Sequence, residues 1–251
     1  MGEALRLGNI GLYRRYVRLL LRREQLVNDS LVYYVMYLKK FGDDIVSNLQ
    51  MRNDCIRLKK EIAYIQAVLA SGRRIDTAKM DEYLDGQMKH YYRNLTELAV
   101  ESKEAHKTRI RGKIIRERSD KIFRRIALLI HPDLNPATWN DEELHDLWGR
   151  VSEAYRDNDV VALLDLEPVV RKTVRHRKFK RGRRMIKNLK VRVRELEEEI
   201  KDIVNSEPYI YRNYLGDFIS ESKKRDELYK QHSEYFRNYE ELFETLMDII
   251  D

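Results

Sequence analysis

Four stretches of the chain place apolar residues at alternating steps of three and four, the spacing that lines one side of a helix and suits it to pairing along a seam. Met51, Cys55, Leu58, Ile62, Ile65 and Leu69 form the first row. After Ser71-Gly72-Arg73-Arg74, a second row runs through Leu84, Met88, Tyr91, Leu95 and Leu98, and so short a break predicts an antiparallel hairpin. A third row, Ile186, Leu189, Val193, Leu196, Ile200 and Ile203, ends near Asn205-Ser206-Glu207-Pro208, because proline cannot continue a helix interior. Leu228, His232, Tyr235, Tyr239, Leu242, Leu246 and Ile249 make the fourth. These rows predict an all-α, elongated protein in which antiparallel coiled-coil hairpins flank whatever occupies the middle of the chain.

Composition agrees. Among 251 residues there are only 10 Gly and 4 Pro, and 36% are charged, as expected of long helices with narrow apolar stripes and solvated backs. The single cysteine, Cys55, excludes an intramolecular disulfide and a multi-cysteine zinc site, and a reducing compartment, by default the cytoplasm, follows. The basic N-terminal stretch LYRRYVRLLLRREQLV lacks a continuous apolar segment with a small-residue cleavage site. The longest apolar run, Leu31 to Leu38, is far too short to span a bilayer and reads as part of a core helix, so no membrane partner is expected.

The segment from about Glu117 to Leu166 differs from the coils on either side. Ser119 or Asp120 can cap a helix whose residues Ile122, Phe123, Ile126, Ala127 and Ile130 share one face, with Arg124 and Arg125 turned to water. Pro132 stops it and holds His131 outside the helical region, so that Asp133 begins an exposed loop and a polar pair is displayed at a rigid corner. Asn140 with Glu143 predicts a capping box for the next helix, and Trp139 with Leu144 a hydrophobic staple. Leu144, Leu147, Trp148, Val151, Ala154 and Tyr155 then supply a face that packs antiparallel on the first helix.

FRRIALLIHPDLNP followed by LWGRVSEAYRDND resembles helix II, the His-Pro-Asp loop and helix III of the J-domain family. The resemblance covers about fifty residues and implies a non-enzymatic co-chaperone without a cofactor. Such a module docks on a DnaK-type ATPase chaperone, stimulates its ATP hydrolysis and couples hydrolysis to client capture. His131, Pro132 and Asp133 would be the coupling residues, and Arg124 and Arg125 the basic face that meets an acidic surface of the chaperone. Two positions depart from the family: Leu129 and Leu134 stand where basic residues are common. No helix I pattern precedes the pair, since AHKTRIRGKIIRERSDK is basic and poor in apolar positions, so another element must cover the core. A flanking coil that does so is one solution, and a module turned purely architectural is another.

The organisation expected is therefore an N-terminal helical region over residues 1–110, a J-domain-like module over 111–168, and a basic segment with C-terminal coils over 169–251. Residues 171–194 hold thirteen Lys or Arg and no Asp or Glu, more than the chain's whole formal charge of +7, so the remainder is net negative. Such a run, with Arg175, Arg177, Lys178, Lys180, Arg181, Arg183 and Arg184 at its centre, suits nucleic-acid binding without sequence selectivity. It equally suits pairing with the acidic block Glu195, Glu197, Glu198, Glu199 and Asp202, or a linker bent at Gly182. The coils can also set a homo-oligomeric state. No nucleotide-binding glycine loop, hydrolytic triad or metal-ligand spacing is present, and His106, His232 and Cys55 stand without partners at ligand spacing.

Overall fold

The computed structural model describes residues 2–177 and 188–250, with side chains from residue 10 onward. Every regular element among these residues is helical, as the apolar spacing predicts: α1 (Gly2–Ala70), α2 (Thr77–Lys107), α3 (Lys113–Ile130), α4 (Ala137–Asn140), α5 (Glu142–Arg156), α6 (Val160–His176), α7 (Leu189–Asn205), a 3-10 turn at Tyr209–Tyr214, and α8 (Phe218–Ile250). No helix of the described residues is long and apolar enough to cross a membrane. The chain divides into two compact units that are not contiguous in sequence, one of residues 1–34 and 109–210, the other of residues 35–108 and 211–251.

In the second unit, α2 returns along α1. Asn53 Nδ2 donates to the Tyr91 carbonyl at 3.2 Å, and Ser102 Oγ to Asp43 Oδ1 at 3.1 Å, so residue numbers fall along one helix as they rise along the other. The turn between them is closed by Gly72, whose φ of +68° lies in the left-handed region that glycine enters without steric cost. Asp76 caps α2, its carboxylate accepting from the Lys79 N–H. Gly42 sits where the two helices approach so closely that an added Cβ would collide with Ser102.

The fourth apolar row is not one half of a two-helix hairpin. α8 instead lies against α1 and α2: Leu246, Tyr239, Leu242 and Ile249 join Leu58, Ile62, Ile65, Met80 and Leu84 in one core. Asn48 donates to the Leu228 carbonyl and Cys55 Sγ to the Tyr235 carbonyl, both at a separation of 180 residues, so α8 runs parallel to α1. A helix pair would leave the other side of these stripes wet, and three helices bury it. Tyr37, Phe41 and Leu228 form a second cluster, with Tyr211 stacked on Tyr37 at 4.0 Å between ring centres.

The first unit is built around α3, α5 and α6. Ile122, Phe123, Ile126, Ala127 and Ile130 of α3 meet Leu144, Leu147, Val151, Ala154 and Tyr155 of α5, as the apolar faces predict. The cover for this pair comes chiefly from α6, whose Leu163, Leu166 and Val170 are buried in the same core, with Leu21 of α1 at its margin. Pro168 is tolerated inside α6 because it faces solvent, where the backbone carbonyl it orphans can be hydrated. From Leu189 onward the third row is carried by α7, where Val193 and Leu196 pack with Tyr16 and Leu20 of α1; its first member, Ile186, lies outside the described residues.

Candidate functional site

The local structure around the His-Pro-Asp corner departs from the sequence reading in four ways. α3 begins at Lys113, capped by Gly112, so Ser119 is an interior helical residue, fully buried, and neither it nor Asp120 caps the helix. α5 is capped by Asp141, whose carboxylate accepts from Leu144 N at 3.1 Å, because Asn140 is already engaged as the last residue of the short α4. Trp139 is 62% exposed with its ring against His145, so no Trp139–Leu144 staple forms.

The fourth departure concerns display. His131 closes α3, its N–H donating to the Ala127 carbonyl at 2.8 Å, and is only 4% exposed. Pro132 is buried as well, and Asp133 half-buried. The corner is held from both ends: the His131 carbonyl accepts from Leu134 N and Asn135 N, Asn135 Nδ2 donates to the Leu129 carbonyl, and Thr138 Oγ1 donates to the Ile130 carbonyl. These bonds satisfy carbonyls that the end of a helix would otherwise leave orphaned.

The imidazole is oriented by its neighbours. Asp133 N–H donates to Nδ1 at 3.1 Å, which leaves Nε2 to carry the proton in the neutral ring. Nε2 lies 3.8 Å from Glu24 Oε1 on α1, and Trp148 of α5 meets the ring edge-on at 4.7 Å between centres. Burial pushes the Glu24 carboxyl up, but the facing His131 ring at 3.8 Å and the hydrogen-bonded Arg23 outweigh it and hold the group below the usual carboxylate range. Glu24 therefore faces the histidine as an anion.

α1 continues along the same side of the module. Gln25 accepts from Arg124 Nη2 at 2.9 Å and donates to Asp120 Oδ2 at 3.0 Å; the other Asp120 oxygen accepts from the Tyr155 hydroxyl at 2.7 Å. Burial, then the adjacent Asp120 carboxylate, push the Tyr155 hydroxyl pKa up, so it stays a donor. Asn28 Nδ2 donates to the Tyr155 carbonyl. Asp29 is likewise raised, by burial and then by Asp120.

Arg125 is also engaged. Its Nε and Nη2 meet the two Glu167 oxygens at 2.9 and 2.6 Å, a bidentate fork joining α3 to α6. Arg171 adds a third contact to the same carboxylate, and hydrogen bonding to Arg125 leads the effects that hold Glu167 down at about 2. Of the basic run, Arg175 is exposed and Arg177 is bound to Asp141 and Glu143 at the start of α5. Lys178, Lys180, Arg181, Arg183, Arg184 and Gly182 lie outside the described residues. The acidic block pairs mainly with α1, through Arg15 with Glu197 and Arg23 with Glu199.

The residues missed by the sequence reading are Glu24, Gln25, Asn28 and Glu167. A signal existed for the first three: they are polar side chains on the otherwise apolar or basic start of α1, the pattern of a helix that packs on a polar corner. Among the described residues no group of His, Cys, Asp and Glu is arranged to hold a metal ion. No family model matches the chain, and neither does any curated protein or solved structure.

Proposed function

We propose that this protein is a J-domain-like co-chaperone that acts on a DnaK-type ATPase chaperone through the corner formed by His131, Pro132 and Asp133, in a reducing compartment such as the cytoplasm. The observation that carries the reading is the arrangement of α3 and α5: two amphipathic helices packed face to face and joined by a hydrogen-bonded His-Pro-Asp turn. Arg124 and Arg125 stand on the exposed side of α3, where they can meet an acidic partner that competes with Gln25 for Arg124 and with Glu167 for Arg125. The protein contributes no chemistry of its own. ATP is hydrolysed by the partner, and the coils serve client binding or positioning.

Glu24 and Gln25 modify this reading. They occupy His131 and Arg124, so a chaperone must displace this part of α1 or bind beside it, and docking is correspondingly weak. Binding to an ATP-bound DnaK-type chaperone, followed by fluorescence anisotropy, tests the assignment. Glu24→Ala is expected to tighten binding severalfold and His131→Gln to abolish it. Absence of binding by the wild type and by Glu24→Ala contradicts the proposal.

A second reading is favoured by the burial of His131 and the Arg125–Glu167 fork: a J-like module that serves as architecture. A nucleic-acid-binding role rests on the charge of residues 171–194 alone. It requires affinity for RNA or DNA that falls steeply with added salt.

A further inference from the structure

α8 carries a second apolar row beside the one it turns to α1 and α2. Tyr229, Phe236, Phe243 and Ile250 recur every seven residues and are 75%, 47%, 46% and 56% exposed, with Met247 in the same strip at 42%. A strict seven-residue repeat is the spacing that keeps a strip facing a partner helix over several turns. Single exposed apolar residues need no explanation, but a continuous row of large ones does.

The charges beside the row indicate what covers it. About 100° further round the helix, away from α1 and α2, stand Lys230 and Arg237 toward the N-terminal end and Glu244 and Asp248 toward the other. All four are exposed and make no ion pair among the described residues. A second copy laid parallel would turn this flank to opposite sides of the pair and leave its charges unpaired. Laid antiparallel about a twofold axis near Glu240, it keeps this flank on the same side of both helices and sets opposite signs together. Each Arg237 then lies between Glu240 and Glu244 of the other copy, and each Lys230 lies beside Asp248. In the same register Tyr229 covers Ile250 and Phe236 covers Phe243, and the two Glu240 carboxylates, brought level at the axis, are each flanked by an Arg237.

We infer that this protein associates with itself through the exposed row of α8, two copies packing antiparallel in a closed, isologous pair. The inference is independent of any chaperone partner, since it uses no residue of the His-Pro-Asp corner.

Sedimentation of the full chain over two decades of concentration tests it. The mass is expected to rise from 30.3 kDa toward twice that value. Arg237→Glu should weaken association by about tenfold or more, and Arg237→Glu combined with Glu244→Arg should restore much of it, because the swap recreates the two 237–244 ion pairs across the axis and leaves only Glu240 without its cation. Both positions are exposed, so circular dichroism should be unchanged. On a Cys55→Ser background, a mixture of Tyr229→Cys and Ile250→Cys chains should form a mixed disulfide on oxidation, and Tyr229→Cys alone should not. A monomer at every concentration, association indifferent to the charge swaps, or a disulfide from Tyr229→Cys alone would each overturn the inference.

Discussion

Glu24 Oε1 on α1 lies 3.8 Å from His131 Nε2 at the end of α3, and the two residues are separated by 107 positions in the chain. The Asp133 N–H fixes the proton of the ring on the nitrogen that faces this carboxylate. A histidine that the sequence places at an open corner is thereby turned inward, between a carboxylate and the edge of Trp148.

Removing the carboxylate should free the ring. Glu24→Ala leaves Nε2 without its facing anion and opens the side of the corner that α1 covers. Carbethoxylation of His131, followed by mass spectrometry of its peptide, is expected to proceed several times faster in the variant. The cost to global stability should be about 1–2 kcal/mol, since Arg23 also loses a partner. An unchanged modification rate would mean that α1 does not shield the corner.

Glu167 gives the first unit a defined acid sensitivity. Its carboxyl is held at about 2, against 4.5 ordinarily, chiefly by hydrogen bonding to Arg125, with burial opposing and Arg171 adding a smaller lowering effect. A depressed folded value means that the stabilisation is complete above 4.5 and is lost as pH falls from 4.5 toward 2. Both arginines are nearly half-exposed, so solvent screening reduces the contribution to about 1–2 kcal/mol. Glu167→Gln should lower the urea midpoint at pH 7 and leave it almost unchanged at pH 1.5, below the folded value. A difference that persists at low pH would show that the ion pairs are not its source.

The role of α6 as the cover of the module can be tested by comparing adjacent leucines. Leu163 is fully buried against α3 and α5, whereas Leu164 is 39% exposed. Leu163→Ala should cost about 2–4 kcal/mol through lost burial and the cavity left behind, and Leu164→Ala less than about 1 kcal/mol. Equal effects in chemical denaturation would remove α6 from the core.

The helices were legible wherever an apolar row was long. The rows through Cys55 and Ile62, Leu84 and Met88, and Val193 and Leu196 all fall on helices and turn their central members inward. The partners of those rows were not legible, because a three-four spacing states which face is buried and not what buries it. The fourth row could have met the third as readily as the first two, and Leu246 in fact packs beside Leu58 and Leu84.

Around the corner the same distinction applies. Phe123, Ile126, Val151 and Tyr155 could be placed on facing helices from their spacing alone. The cap of α5 could not: Asn140 and Asp141 are both good caps, and only the short helix α4 before them decides in favour of Asp141. α6 escaped notice because Pro168 breaks the expected pattern of a helix interior, yet it is tolerated on a solvent face. His131 is buried by Trp148 and, from a hundred positions away, by Glu24; the polar side chains of α1 hint that it packs on something polar, but no local rule names the corner as its partner.

The central claim, that the His-Pro-Asp corner engages a DnaK-type chaperone, is tested most directly by single-turnover ATP hydrolysis on such a chaperone with wild type, Glu24→Ala and His131→Gln added in turn. Stimulation by the wild type, a larger effect with Glu24→Ala and none with His131→Gln is the predicted result. No stimulation by the wild type or by Glu24→Ala would contradict the claim and leave the α3–α5 pair as architecture.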